Sequence, residues 1–208
     1  MIAPGILLIF FTTSILLALT PGPDNLFVMT QAVQQGRKAG LLVTLGLCTG
    51  LLFHTAAVTL GLAALFKASA VAFTLLKFAG AGYLLYLAWL SFRAGTETGP
   101  TATADRPDSV ALYRRGIIMN ITNPKVSIFF LAFLPQFADP AKGVLSVQFL
   151  LLGCVFIIAT IIVFGAISIL AGIFGERFRQ SALAQKLLNR TAAGIFAGLA
   201  CKLVLAQQ

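Results

Sequence analysis

Residues 5–36 read GILLIFFTTSILLALTPGPDNLFVMTQAVQQG, and the run carries one charge, Asp24. A helix of ~20 apolar residues crosses a ~30 Å hydrocarbon core, so the run is long enough to span. Thr20-Pro21-Gly22-Pro23 falls near its midpoint. Proline removes a backbone donor and clashes with the preceding turn, and Gly22 between two prolines adds conformational freedom. Unpaired backbone groups in hydrocarbon cost several kcal/mol each, so such a break is tolerated only where protein or a water-filled cavity surrounds it. The run predicts a membrane helix broken at mid-depth.

The rest of the chain shares that solvent. Of its 208 residues, 59% are apolar and 10% charged, against about 45–50% and about 25% in a soluble domain. That balance also excludes disorder. Five further runs are apolar: 39–66 with no charge besides His54, 70–92 with Lys77, 116–138 with Lys125, 143–174 with none, and 191–206 with Lys202. None alternates in the ~10-residue pattern of barrel strands. The expected fold is all-α, one integral membrane domain over 1–208 with six transmembrane helices. No Lys or Arg precedes the first run, unlike a cleavable signal peptide, so it is expected to be kept as a span.

The net charge of +9 follows the connections. Arg37, Lys38, Arg93, Arg106, Arg114, Arg115, Arg177, Arg179, Lys186 and Arg190 fall in the first, third and fifth. Lys67, Lys142 and Lys202 fall on the other side. The positive-inside rule puts the first set in the cytoplasm and both termini outside. Basic residues spaced between spans, with no basic stripe, exclude nucleic acid as a partner and make the lipid bilayer the surrounding one. The stretch 175–190 reads as a solvated or headgroup-facing segment. Cys48, Cys154 and Cys201 lie in apolar runs and read as small buried hydrophobes.

Residues 93–115, with Gly99, Pro100 and Pro107, form the only long polar connection and read as a flexible cytoplasmic linker (about 94–115). It divides the chain into halves of three spans, about 1–93 and 116–208. Three is odd, so halves that share a fold insert upside down relative to each other. Thr122-Asn123-Pro124-Lys125 interrupts the fourth span near its midpoint, and a glycine opens the next span in each half (Gly40, Gly143). Inverted repeats with matched breaks point to a transporter and to its binding site.

Each break starts a half-helix. Asn123-Pro124 is a good N-cap and N1 pair, and Gly22-Pro23 a weaker one. Two half-helix N-termini then present free N–H groups and positive dipole ends to the midplane, which suits a carboxylate. Two proline kinks that only bend helices are the structural alternative. A mid-membrane charge costs at least ~2.5–3.5 kcal/mol, so Asp24 and Lys125 are expected to face the interior with partners. Asp24 suits the first turn of its half-helix; Lys125 does not suit its own and is expected to need an anion, either Asp24 or a ligand. A fixed Asp24–Lys125 pair and a zwitterion site both stay open. In the second, Lys125 and the half-helix amides take a carboxylate, while Asp24 takes an ammonium or a proton. Asn25, Asn120 and Asn123 offer amides to a substrate or to neighbouring helices. His54 is central in its span, a proton relay or a packed imidazole. Lys77 and Lys202 are expected to snorkel, Trp89 to sit in the aromatic belt with Tyr83 and Tyr86, and Phe129, Phe130 and Phe133 to pack. Gly46-x-x-x-Gly50 and Gly194-x-x-x-Gly198 allow close helix approach, within one chain or in a homo-oligomer.

Pro21-Gly22-Pro23-Asp24-Asn25 resembles the signature of the LysE/RhtB family of bacterial amino-acid exporters. NITNPKVSIFFLAFLPQF at 120–137 is similar to that family's Asn-Pro-Lys region and its Leu-Pro-Gln-Phe, and KFAGAGYLLYLAWLSFRAG at 77–95 to its third span. The resemblance covers nearly the whole chain. It implies a secondary exporter in the bacterial inner membrane, working by proton-coupled antiport, with an amino acid and protons as partners. Substrate binding is then expected at Pro21, Gly22, Pro23, Asp24, Asn25, Asn123, Pro124 and Lys125, and proton coupling at Asp24 or His54. Asp24 is the only acid in the spans, which leans toward a neutral substrate of the homoserine, threonine or leucine kind. One His and three scattered Cys argue against an enzyme or thiol carrier; no cofactor and no metal site is expected. An ion or metal-cation exporter of similar architecture remains the rival class, though its site wants several carboxylates or thiolates.

Overall fold

The computed structural model describes residues 2–68, 70–93 and 108–205, with side chains described outside 62–73, 76–77, 172–180, 184–185, 188 and 202. Among the described residues the fold is all-helical. The helices are α1 (Pro4–Leu19), α2 (Pro23–Gln35), α3 (Arg37–Ala68), α4 (Ala70–Arg93), α5 (Ser109–Ile121), α6 (Pro124–Ile128), α7 (Leu145–Gln180) and α8 (Ala182–Leu205). After α6 the chain widens into a π-turn at Phe129–Phe133, tightens to 3₁₀ over Leu134–Phe137, and makes a last 3₁₀ turn at Pro140–Lys142.

Both expected breaks are present. α1 stops at Thr20, which takes an extended backbone (φ −63°, ψ 125°) because Pro21 disfavours the helical region for the residue before it. Pro23 restarts the chain at N1 of α2, and the two axes bend by 63°. α5 ends at Ile121, Pro124 opens α6, and the bend there is 48°. Asn123 accepts a hydrogen bond from the Lys125 N–H at 3.0 Å, the cap expected of an Asn-Pro pair. α3 over Arg37–Gly61 and α7 over Leu145–Ala171 are each long and apolar enough to cross a membrane, as is each bent pair counted as one span.

The bundle buries a set of polar groups within an apolar core and turns large apolar side chains outward. Leu45, Leu52, Phe53, Leu60, Ile158, Ile162 and Leu170 are exposed, whereas Asp24, Gln31, Asn120, Asn123, Lys125, Gln148 and Thr160 are buried. Lipid explains that arrangement and water does not. Phe10, Phe129, Phe130, Phe133 and Phe156 share one core cluster, with Phe129 stacked on Phe133 at 5.0 Å, so the three phenylalanines of the fourth span are packing residues. Trp89 is exposed under the Arg93 guanidinium at 5.0 Å.

Glycines set the helix spacings. A Cβ on Gly46 would run into the Tyr113 carbonyl, and one on Gly116 into that of Val43, so α3 and α5 touch backbone to backbone. Gly50 meets Asn120 in the same register, which makes α3 and α5 parallel. Gly40 packs on Ser168 and Gly153 on Thr55, which makes α3 and α7 antiparallel. Among the described residues, Gly194 and Gly198 have no neighbour within 4 Å of a would-be Cβ.

Several details differ from the sequence reading or add to it. Cys48 is buried, but Cys154 and Cys201 are on the outer, apolar face, where lipid accommodates a thiol as readily as a core does. The glycine that turns the chain into α3 is Gly36 (φ +87°), matched in the second half by Gly143 (φ +131°); Gly40 sits inside the helix. The stretch 175–190 is helical on either side of Ser181. The last part of the linker, from Ser109, is the first turns of α5 and includes Arg114 and Arg115. Gly99, Pro100, Arg106 and Pro107, and the side chains of Lys67, Lys77, Arg177, Arg179 and Lys202, lie outside the described residues.

Candidate functional site

The two breaks meet. Lys125, 5% exposed in the first turn of α6, reaches across to the end of α1. Its Nζ donates to the Thr20 carbonyl at 3.1 Å and, at a long 3.5 Å, to that of Leu17. A Cβ on Gly22 would stand 3.1 Å from the same Nζ. The glycine thus admits the lysine, a role distinct from its freedom of backbone angle.

The sequence reading assigns Lys125 an anion, Asp24 or a ligand. The structure supplies another partner, the carbonyl end of α1. No Asp24–Lys125 ion pair, N···O within 4.0 Å, occurs among the described residues. The Thr20 bond to a charged donor contributes roughly 1.5–3 kcal/mol, and the negative pole of a helix up to about 2 kcal/mol. Together these offset a mid-membrane cost of ~2.5–3.5 kcal/mol on the insertion scale. An ammonium has three N–H donors, so at least one remains for a ligand.

Asp24 lies on the opposite side of the break, 2% exposed in the first turn of α2. Its Oδ1 has no hydrogen-bond partner. Asp24 and Lys125 line one cavity with Asn120 of α5, Thr160 of α7, and apolar walls that include Phe156 and Phe164. The free space is about 10 Å³, room for about one water molecule. A molecule the size of an amino acid does not fit this space.

The other expected residues surround this cavity without all lining it. Asn25 Nδ2 donates to the Ala18 carbonyl at 2.7 Å and ties α2 back to α1. Asn123 caps α6, and its Nδ2 is buried without a partner. Pro21 is half-buried, Pro23 and Pro124 are exposed, and all three act by breaking the helices. His54 Nε2 meets the Asn120 carbonyl at 3.1 Å, with its ring 5.5 Å from that of Phe130. It therefore contacts the back of a cavity residue and does not line the cavity. Thr160 is the lining polar residue that the sequence gives no reason to select, a lone hydroxyl inside an apolar run.

A family model described as "LysE type translocator" matches residues 15–207. An uncharacterized membrane protein of Vibrio cholerae is 32% identical over 199 residues, covering 96% of this chain and 95% of the relative. The homoserine/homoserine lactone efflux proteins of Salmonella typhi and Salmonella typhimurium are each 36% identical over 162 residues, 78% of either chain. No solved structure matches. With broken helices at both signature motifs and a family match that runs from the first break to the last helix, the chain belongs to the LysE type translocators.

Proposed function

We propose that this translocator exports a small neutral amino acid across the bacterial inner membrane in exchange for protons, and that the junction of the two breaks is its binding site. The observation that carries the reading is the cavity where Asp24 and Lys125 face one another without pairing. A zwitterion matches it. Its carboxylate takes the remaining Lys125 donor, and its ammonium takes the unpartnered Asp24 oxygen. When the ammonium leaves, a proton on Asp24 keeps the buried carboxylate neutral, which couples the two fluxes. His54, joined to the cavity through the Asn120 carbonyl, is the second coupling candidate.

Relatives named for homoserine and homoserine lactone efflux support both the neutral substrate and the outward direction. The parallel α3 and α5 and the antiparallel α3 and α7 agree with six spans in two inverted halves. In such a chain the fourth span runs with the second and the fifth runs against it. The α3–α7 crossing adds support. Gly153 follows Gly40 by the same interval as Ser168 follows Thr55, so exchanging the halves carries one Gly–hydroxyl contact onto the other.

The test uses inverted vesicles with an imposed proton gradient and labelled L-homoserine, L-threonine and L-leucine. Uptake above an empty-vector control, abolished by a protonophore, is the expected result. Uptake that survives the protonophore would remove the coupling, and none from folded protein would remove the amino-acid reading.

A further inference from the structure

Seven Ser and Thr residues are buried among the described residues: Thr13, Ser14, Thr20, Thr44, Thr55, Thr160 and Ser168. Six of them donate to the carbonyl four residues earlier in their own helix, at 2.7–2.9 Å. That bond is the ordinary way to satisfy a hydroxyl inside a membrane helix. Thr160 is the exception. It is 2% exposed, its Oγ1 has no partner, and it lines the cavity at the breaks. Asn120, equally buried, lines the same cavity, and its side-chain oxygen, which packs beside Gly50 of α3, also lacks a partner. The two do not bond to each other. One is a donor without an acceptor, the other an acceptor without a donor.

Their positions separate them from the charged pair. Asp24 and Lys125 come from the two half-helices, whereas Thr160 and Asn120 come from α7 and α5. The other lining residues are apolar, so nothing beyond Asp24 and Lys125 offers a charge. We infer that Thr160 and Asn120 form the subsite that reads the side chain of the transported amino acid, and that the side chain it accepts is a small neutral one bearing a hydroxyl. A hydroxyl accepts from Thr160 and donates to Asn120 at once. A methyl in its place leaves both groups unsatisfied in a dry site. Sites built to hydrogen-bond a substrate hydroxyl reject the analogue without it by factors of up to roughly 10⁴–10⁵. Close packing by Phe156 and Phe164 limits the length of the chain that reaches the subsite.

This inference rests on the amino-acid reading above, and its test separates the two. Purified full-length protein in proteoliposomes is assayed by counterflow with isosteric pairs, L-threonine against L-valine and L-homoserine against L-norvaline. The wild type is expected to favour the hydroxyl member of each pair by at least about tenfold in kcat/KM. Thr160→Val should erase most of that preference by losing the hydroxyl substrates while keeping the apolar ones, and Thr160→Ser should restore it. Asn120→Ala is the second variant and should lower the same preference. Thr160→Val should also melt no lower than the wild type, because exchanging an unpartnered hydroxyl for a methyl of equal shape removes no bond. Amino-acid flux with the same preference in wild type and Thr160→Val would overturn the subsite alone. A lower melting temperature with unchanged preference would do so too, by marking the hydroxyl as structural. No flux of any amino acid from folded wild type would overturn the amino-acid reading and the subsite with it.

Discussion

Lys125 and Asp24 are both buried charges near the middle of their spans, yet they are held in different ways. Lys125 is bonded to the carbonyl end of α1, while Asp24 keeps an oxygen with no partner. The two should therefore separate stability from transport. Lys125→Ala leaves the Thr20 carbonyl without its donor at a cost of about 1–3 kcal/mol. For a chain of this length that lowers the melting temperature by roughly 2–4 °C per kcal/mol, and transport is lost as well. Asp24→Asn conserves shape and breaks no hydrogen bond of Oδ1. It should melt at or above the wild-type temperature and transport nothing. Melting curves in detergent beside counterflow rates decide both; a stable, fully active Asp24→Asn would return Asp24 to a structural role. Both residues are legible in sequence because a charge inside an apolar run has few uses. Thr160 carries no such mark, since a membrane threonine ordinarily bonds its own helix, and only the geometry shows that this one does not.

At the scale of elements, the helix breaks are written locally and their consequences are not. Pro21, Pro23 and Pro124 dictate where the helices stop and restart. That Lys125 crosses from one break to the other depends on the glycines that let α3 and α5 close up. Gly46-x-x-x-Gly50 is readable as a close-approach motif, and the structure identifies its partner as α5 of the same chain. Gly46→Val should be among the most damaging substitutions outside the site. Its Cβ would meet the Tyr113 carbonyl, a backbone atom that cannot rotate aside. The expected cost is about 3 kcal/mol or more, at the upper end for overpacking. Gly61→Ala, with open space at its Cβ, is the control and should be neutral or slightly stabilising. Yield and monodispersity on size exclusion measure the difference, and equal behaviour of the two variants would contradict the packing described.

For the whole molecule, apolar runs and the placement of Lys and Arg predict an all-helical membrane fold, and the structure agrees on helices, breaks and polarity. Helix directions are not encoded in any single segment; they follow from the pairing of Gly40 with Ser168 and Gly50 with Asn120. The proposed six spans can be checked by labelling single cysteines in a background free of Cys48, Cys154 and Cys201. Ala3→Cys and Gln207→Cys should react with an impermeant maleimide on intact cells, and Thr103→Cys only after permeabilisation. Labelling of Thr103→Cys from outside, or of the two ends from opposite sides, would contradict the topology. The proposed binding site is the meeting of the two breaks. Its most direct test is equilibrium binding of labelled L-homoserine to purified wild type, Asp24→Asn and Lys125→Ala, each shown to be folded. Saturable binding by the wild type is expected, with affinity at least about tenfold weaker in both variants, the loss of one charged contact worth ~1.4 kcal/mol or more. Unchanged affinity in both variants would place the substrate elsewhere and contradict the proposed site.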